Sequence, residues 1–463
     1  MHPKYLFYLG ITLLLFWTAP AHALEVRLNG NRISIHADQV PLQSILERLV
    51  AFGIRVHVDP EINPKISASF EARDLQDGLA SILKSLDHVF IWTSLDGPGG
   101  PMAQIRDIHV FRPGKQALMR PLQKNSTFAI ARNPADGSLF VKNEMLVRLK
   151  PGITPTAFEK LLRHMGGFVL EAHPGLGLYR IRFPENTDIP AMVDRISKDP
   201  WVARAEPNYA YPLEAPLLGP PSSDSPDIET PGPLQASARI AVLDTGLAAR
   251  SGVTDYIVAS YDSLNPEETI TDPLGHGTQM ALIASGAVKP LGVQEESSMQ
   301  NPIIAVRAFD DNGYTSNFNL ISSIDYALEN GARVMSLSWG SEVHSTFLEN
   351  ALDEASAKGL IVVASAGNEP TGKPVYPAAY PTVLGVGALR PDGKAWGKSN
   401  YGDFVTLYAP GFADLPVGYK GDPGAYAGTS ISAAFVAGVI GNYLSKHPEA
   451  TKQDVLMALR NQF

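Results

Sequence analysis

The chain has no cysteine among its 463 residues. That absence excludes disulfides, thiolate zinc sites, a cysteine nucleophile and an anchor built on a lipidated cysteine. A basic excess is missing too: 47 acidic residues stand against 38 basic ones, a formal net charge of −9. No basic stripe reverses that balance, so nucleic acid is not an expected partner. The zinc-protease His-Glu-x-x-His pattern, a phosphate-binding glycine loop and an EF-hand loop are all lacking. Beyond the amino-terminal stretch, no run approaches the roughly 20 apolar residues that a membrane span needs.

That amino-terminal stretch is informative. MHPKYLFYLGITLLLFWTAPAHA places Lys4 ahead of an apolar core from Leu6 to Trp17 and ends in Ala21-His22-Ala23. A basic start, a short apolar core and a small-x-small end describe a cleaved signal peptide over residues 1–23. The competing reading is a membrane anchor, for which the uninterrupted apolar run is too short. The mature chain is therefore expected to be exported, periplasmic or secreted, with no transmembrane anchor.

At this length about two to four domains are expected. Residues 24–120 read as a small α/β module. ISIHADQV is strand-like, Leu42, Ile45, Leu46, Leu49 and Val50 form one helical stripe, and IRVHV follows as a strand. The pattern then returns 33 residues on, with Leu42-Gln43 as Leu75-Gln76, Leu46 as Leu79, Val50 as Leu83 and Val56 as Val89. Two copies make a half-repeat within one domain, not a solenoid. VPLQSILERL, HVDPEINPKISASFEARDLQDGLASIL and VFIWTS resemble the short N-terminal domain of secretins and TonB-dependent receptors. That resemblance implies a module of double-membraned bacterial envelopes, with an envelope protein as a candidate partner. The alternative is any small α/β domain.

Residues 121–140 read as a linker, with Pro121, Pro134 and Gly137 in polar sequence. A second α/β module is expected over residues 141–212. MLVRLK and GLYRIRF are strands; Phe158, Leu161, Leu162 and Met165 mark one helix, and Ile189, Met192, Val193 and Ile196 another. LVRLKPGIT, PGLGLYRIRF and DPWVARAEPNYAY resemble the inhibitory prodomain that precedes a subtilisin-like protease. The Pro- and Ser-rich stretch that follows cannot build a core and reads as an exposed linker over residues 213–237.

The chemistry lies in residues 238–463. ARIAVLDTGL is an apolar run of the kind that forms a buried parallel strand, and it ends at Asp244. Catalytic groups of open α/β sheets sit at such carboxyl ends. GHGTQMALIASG puts His276 at a helix start between Gly275 and Gly277; VVASAGNEP follows a third apolar strand and puts Asn368 in a glycine-bearing turn; AYAGTSISAAFVAG puts Ser430 at the start of a small-residue helix. Each alone has a plainer explanation as a turn residue or a helix cap. Together, in the order Asp, His, Asn, Ser, the phrases D-T-G, H-G-T, A-G-N and G-T-S resemble the subtilase family.

The resemblance implies a subtilisin-like, doubly wound, mostly parallel α/β fold and a serine endopeptidase made as a self-processing zymogen. It implies His276 as base to Ser430, Asp244 as orienting acid and Asn368 as oxyanion donor. Substrate would add as a strand along Gly313 to Ser316 and Ser338-Trp339-Gly340, with Ser365-Ala366-Gly367 helping to wall the first specificity pocket. Polypeptide substrates and the chain's own prodomain, acting as inhibitor, are the partners. Gln279, Ala434 and Phe435 depart from the family pattern, and Trp339 is bulky where a smaller apolar residue is usual, so no side-chain preference carries over. No cofactor is required; the acidic loop Asp262 to Asp272 is read as solvated surface, with structural calcium as its alternative. The rival to the enzyme is a catalytically silent envelope scaffold that uses the N-terminal module.

Overall fold

In the computed structural model, residues 24–462 are described apart from 51–53, 98–99, 123–127, 215, 219–237, 249–251, 267, 294–299 and 420–422. The expected signal peptide and most of the second expected linker lie outside the described residues. The chain resolves into two compact units: Met1–Ser94, Ala103–Gln123 and Glu159–Phe168 form one, and Leu95–Met102, Lys124–Phe158 and Val169–Phe463 the other.

The first unit carries the half-repeat. Its helices Leu42–Val50 and Leu75–Ile82 both open on Leu-Gln, and Leu42, Leu46, Leu75 and Leu79 are all buried. The equivalence fades at the strands: Val56 is buried, whereas Val89 is exposed. Strands Glu25–Asn29, Arg32–Pro41 and Lys65–Asp74 form an antiparallel sheet in that order.

In the second unit a seven-stranded sheet forms the core. Its spatial order is Ile257–Asp262, Ile303–Arg307, Arg239–Asp244, Ala332–Leu337, Ile361–Ser365, Val383–Leu389 and Val405–Pro410. Every pairing in it is parallel. A parallel sheet needs both faces covered, and strand Arg239–Asp244 shows why its sequence is continuously apolar. Ile240 and Val242 face a layer holding helices His276–Ser285 and Thr429–Lys446; Ala241 and Leu243 face one holding Asn317–Glu329 and Thr346–Ala357. Asp244 is the first polar residue of that strand after Arg239, and it stands at the carboxyl end.

A second sheet of the same unit holds the prodomain-like strands. Its main order is Phe168–His173, Leu178–Arg182, Leu139–Leu149, Val202–Pro212 and Tyr314–Ser316. The last of these strands comes from the catalytic half. The first expected linker is shorter than its composition suggests: Ile130–Arg132 pairs antiparallel with Leu139–Val141. The turn Asn133–Gly137 closes that hairpin, with Gly137 N–H donating to the Asn133 carbonyl, Ser138 N–H donating to Asp136 and Gly137 in the left-handed region.

Glu144 is the polar hub of this sheet. It is fully buried and accepts hydrogen bonds from Arg180, Arg182 and Asn208. Burial opposes its charge, but the two guanidiniums outweigh burial and hold the carboxyl at about 2.

Candidate active site

Asp244 and His276 meet where the sequence places them. His276 Nδ1 lies 2.7 Å from Asp244 Oδ1, and both side chains are almost wholly buried. The approach depends on two glycines. A Cβ on Gly277 would stand 2.5 Å from the Gly246 carbonyl oxygen, and one on Gly246 would stand 1.9 Å from the Thr271 oxygen. The D-T-G and H-G-T turns thus nest backbone against backbone. Gly277→Ala is expected to cost about 1–3 kcal/mol, a few degrees in thermal melting, and to push His276 off Asp244. Wild-type melting together with full activity in the variant would refute the nesting.

Asp272 is a site residue that sequence reading missed. Its Oδ1 accepts from Thr245 Oγ1 and from Gly275 N–H; its Oδ2 accepts from the Thr278 N–H and hydroxyl. Thr245 Oγ1 in turn accepts from Gly277 N–H at 2.8 Å. One carboxylate therefore fixes the turns that carry Asp244 and His276. The loop from Asp262 to Asp272 is exposed in its middle, but its ends are not simply solvated: Asp262 is buried and paired with Arg307 at 2.9 Å. The signal available in sequence was Asp272 standing four residues ahead of His276, and it is no stronger than any loop aspartate. Among the described residues, no group of three or more His, Asp or Glu is arranged to hold a metal ion.

His276 carries opposed influences. Burial disfavours its protonated form, while the charge and hydrogen bond of Asp244 and the charge of Asp272 favour it, and the result is a raised pKa. Its Nε2 is buried without a hydrogen-bond partner. The Ser430 hydroxyl instead donates to the Ser338 carbonyl at 3.3 Å.

Ser430 stands in the first turn of helix Thr429–Lys446, whose amino end brings partial positive charge. Behind it the small residues have a use: a Cβ on Gly438 would lie 2.9 Å from the Ala284 oxygen, so the helices that carry Ser430 and His276 touch. The departures from the family pattern sit in this packing. Ala434 and Phe435 are buried in the same layer, and Gln279 donates to the Val417 carbonyl. Asn368 Oδ1 accepts from the Thr429 N–H and hydroxyl, at 2.9 and 3.0 Å. The carboxamide is thereby tied beside Ser430 by its oxygen end.

The expected binding segments surround the chain's own tail. Ala210, Tyr211 and Pro212 pair antiparallel with Ser316, Thr315 and Tyr314, and Leu213 N–H donates to the Gly313 carbonyl at 2.8 Å. Glu206 accepts from Ser345 Oγ and Thr346 N–H, at the start of helix Thr346–Ala357; Asn208 Oδ1 accepts from Phe318 N–H, at the start of helix Asn317–Glu329. The Glu-Pro-Asn phrase thus supplies partners to orphan donors of two helices. Trp339 is buried, with its ring 5.1 Å from that of Tyr211. Ser338, Ser365 and Ala366 are buried as well, and Gly340 lies tight against Val375.

Comparison with known proteins identifies the family. The Subtilase family model matches residues 236–463, and the model of the fervidolysin N-terminal prodomain matches residues 127–208. The chain is 31% identical over 275 residues to subtilisin NAT of Bacillus subtilis subsp. natto, covering 57% of this chain and 70% of the relative. It is 29% identical over 315 residues to a thermophilic serine proteinase of Bacillus sp. (strain AK1), covering 65% of this chain and 77% of the relative. Among solved structures, fervidolysin from Fervidobacterium pennivorans, a keratinolytic enzyme related to subtilisin, shares the fold with a TM-score of 0.58 at 23% identity. That match covers 73% of this chain and 60% of fervidolysin. The chain belongs to the subtilase family of serine peptidases and carries a fervidolysin-like prodomain ahead of its peptidase domain.

Proposed function

We propose that the chain is the zymogen of an exported serine endopeptidase that cleaves itself and then polypeptides. The observation that carries this reading is the Asp244–His276 bond of 2.7 Å at the strand end, in a chain whose Ser430 stands in the first turn of helix Thr429–Lys446. In the reaction the Ser430 hydroxyl rotates from the Ser338 carbonyl toward the unpartnered His276 Nε2. A serine χ1 has three staggered wells, and catalytic hydrogen bonds often close only when substrate is bound. His276 takes the proton, Oγ attacks the acyl carbon, and Asp244 stabilises the imidazolium. Asn368, held by its oxygen, turns its amide donor to the oxyanion together with the Ser430 N–H. None of these steps calls on a cofactor. The prodomain, about residues 141–212 extended forward to Ile130, acts as intramolecular inhibitor. For the N-terminal module, the reading is a dock to another envelope component, supported by its sequence pattern alone.

Labelling of the processed protein by a fluorophosphonate tests the reading. Label should attach to Ser430. The base must be neutral, and its pKa is raised above 6.5, so the labelling rate should climb as pH rises through a midpoint above that value. Asp244→Asn should slow labelling. A processed form that takes no label would favour the silent scaffold instead.

A further inference from the structure

The prodomain tail does not stop at the cleft; it crosses it. On one side Ala210–Pro212 pairs with Tyr314–Ser316 and Leu213 bonds to Gly313. On the other side Leu217 pairs antiparallel with Ala427, three residues before Ser430, in a short strand with Leu218 and Tyr426. Ala427 ends the strand that leads into the Ser430 helix, so the second anchor stands next to that helix start in the chain. Between the two anchors lies Glu214. Its carboxylate accepts from the Asn368 backbone N–H at 3.1 Å. Its Oε1, a Val375 methyl and Asn400 Cβ all lie 3.8–3.9 Å from where a Cβ on Gly367 would stand. The Glu214 side chain therefore lies against Gly367 and the Asn368 backbone, in the segment expected to wall the first specificity pocket.

Building on the proposed self-processing activity, we infer that the processing bond is the one on the carboxyl side of Glu214, and that Glu214 is the residue its first specificity pocket receives. Ser430 Oγ adds to the Glu214 carbonyl carbon, and its proton passes through His276 to the amide nitrogen of residue 215. The C–N bond breaks, leaving an acyl-enzyme and a new amino terminus at residue 215. Water then hydrolyses the ester and leaves Glu214 as the free carboxyl end of the prodomain. Tyr211 lies three residues before Glu214 and packs on Trp339, so the bulky residue at 339 shapes a site for an aromatic side chain farther along the tail.

Among the described residues, the Glu214 carboxylate has one backbone donor and no cationic partner. Burial raises the carboxyl's pKa, the Asn368 N–H lowers it less, and the charge of Glu369 adds to the rise. A neutral polar side chain of the same shape should thus fit at least as well; a lysine would be desolvated and would meet the Asn368 N–H, which only donates, with the charge of Glu369 as its one favourable partner.

The test uses the full chain and the processed enzyme. Intact mass and amino-terminal sequencing of the wild-type product should give a fragment beginning at residue 215 and a prodomain ending at Glu214. In trans, the processed enzyme should cut a peptide NYAYPLEAPLLGP after its glutamate. The glutamine peptide should be cut at the same bond at least as fast at neutral pH. The lysine peptide should lose about tenfold or more in kcat/KM. Ser430-dependent processing at another bond overturns this assignment and leaves the peptidase reading standing. Equal cutting of the lysine peptide also overturns it. Processing that persists unchanged in Ser430→Ala sinks both.

Discussion

Ser430→Ala leaves the chain uncut. The expected product is a single species with the prodomain and peptidase still joined, where the wild type yields two fragments by mass. Processed in trans by wild-type enzyme, the variant should hydrolyse peptides slower by a factor on the order of 10⁶, the scale of nucleophile loss in a subtilisin. His276→Ala should lose about as much, and the double variant no more, because base and nucleophile act as one unit. The residual rate comes from groups that remain in place: Asn368, tied to Thr429 at 2.9 Å, and the backbone along Gly313. A Ser430→Ala chain that matures normally would remove the nucleophile from this position.

Glu144→Gln, made in the Ser430→Ala background so that the chain stays whole, should loosen the prodomain sheet. The variant keeps the shape but leaves Arg182 facing a neutral amide and Arg180 with Glu171 as its remaining carboxylate partner. Breaking a buried ion pair from one side typically costs 3–5 kcal/mol. Amide exchange in strand Leu139–Leu149 should speed up by about 10²–10³-fold where local opening governs it. The effect has a pH signature. The carboxyl is depressed from 4.5 to about 2, so its contribution is complete above the ordinary value and is lost as pH falls toward 2. That amounts to about 3 kcal/mol. The gap between wild type and variant should be wide at pH 7 and close as pH drops below 4.5. A gap that stays constant to pH 3 would mean that the carboxylate charge is not what holds the sheet.

Much of the site was legible because its geometry follows from short local rules. A strand buried on both faces must be apolar, so its terminating Asp244 stood out; the glycines of D-T-G and H-G-T mark backbones that meet. Helix stripes placed the prodomain elements, and Thr154 heads its helix as expected, accepting from Ala157 N–H at 3.2 Å. What stayed hidden depends on partners far away in sequence. Asp272 looks like any loop carboxylate until its four donors are assembled. Glu214 lies in a Pro-rich stretch that composition assigns to a linker. Composition shows that such a stretch has no core of its own. An added strand needs none, since its hydrogen bonds come from sheet edges elsewhere in the chain. Ile130–Arg132 reads as linker for the same reason, although it pairs with Leu139–Val141. The Ser430 rotamer, aimed at Ser338, leaves no trace in sequence.

Strand Val202–Pro212 has 11 residues and three employments. Its early residues close the prodomain's own sheet, Glu206 and Asn208 satisfy two helix starts, and its last residues occupy the groove. One short segment thus ties the prodomain's sheet, two helix starts and the groove together, so a break along it weakens contacts at all three.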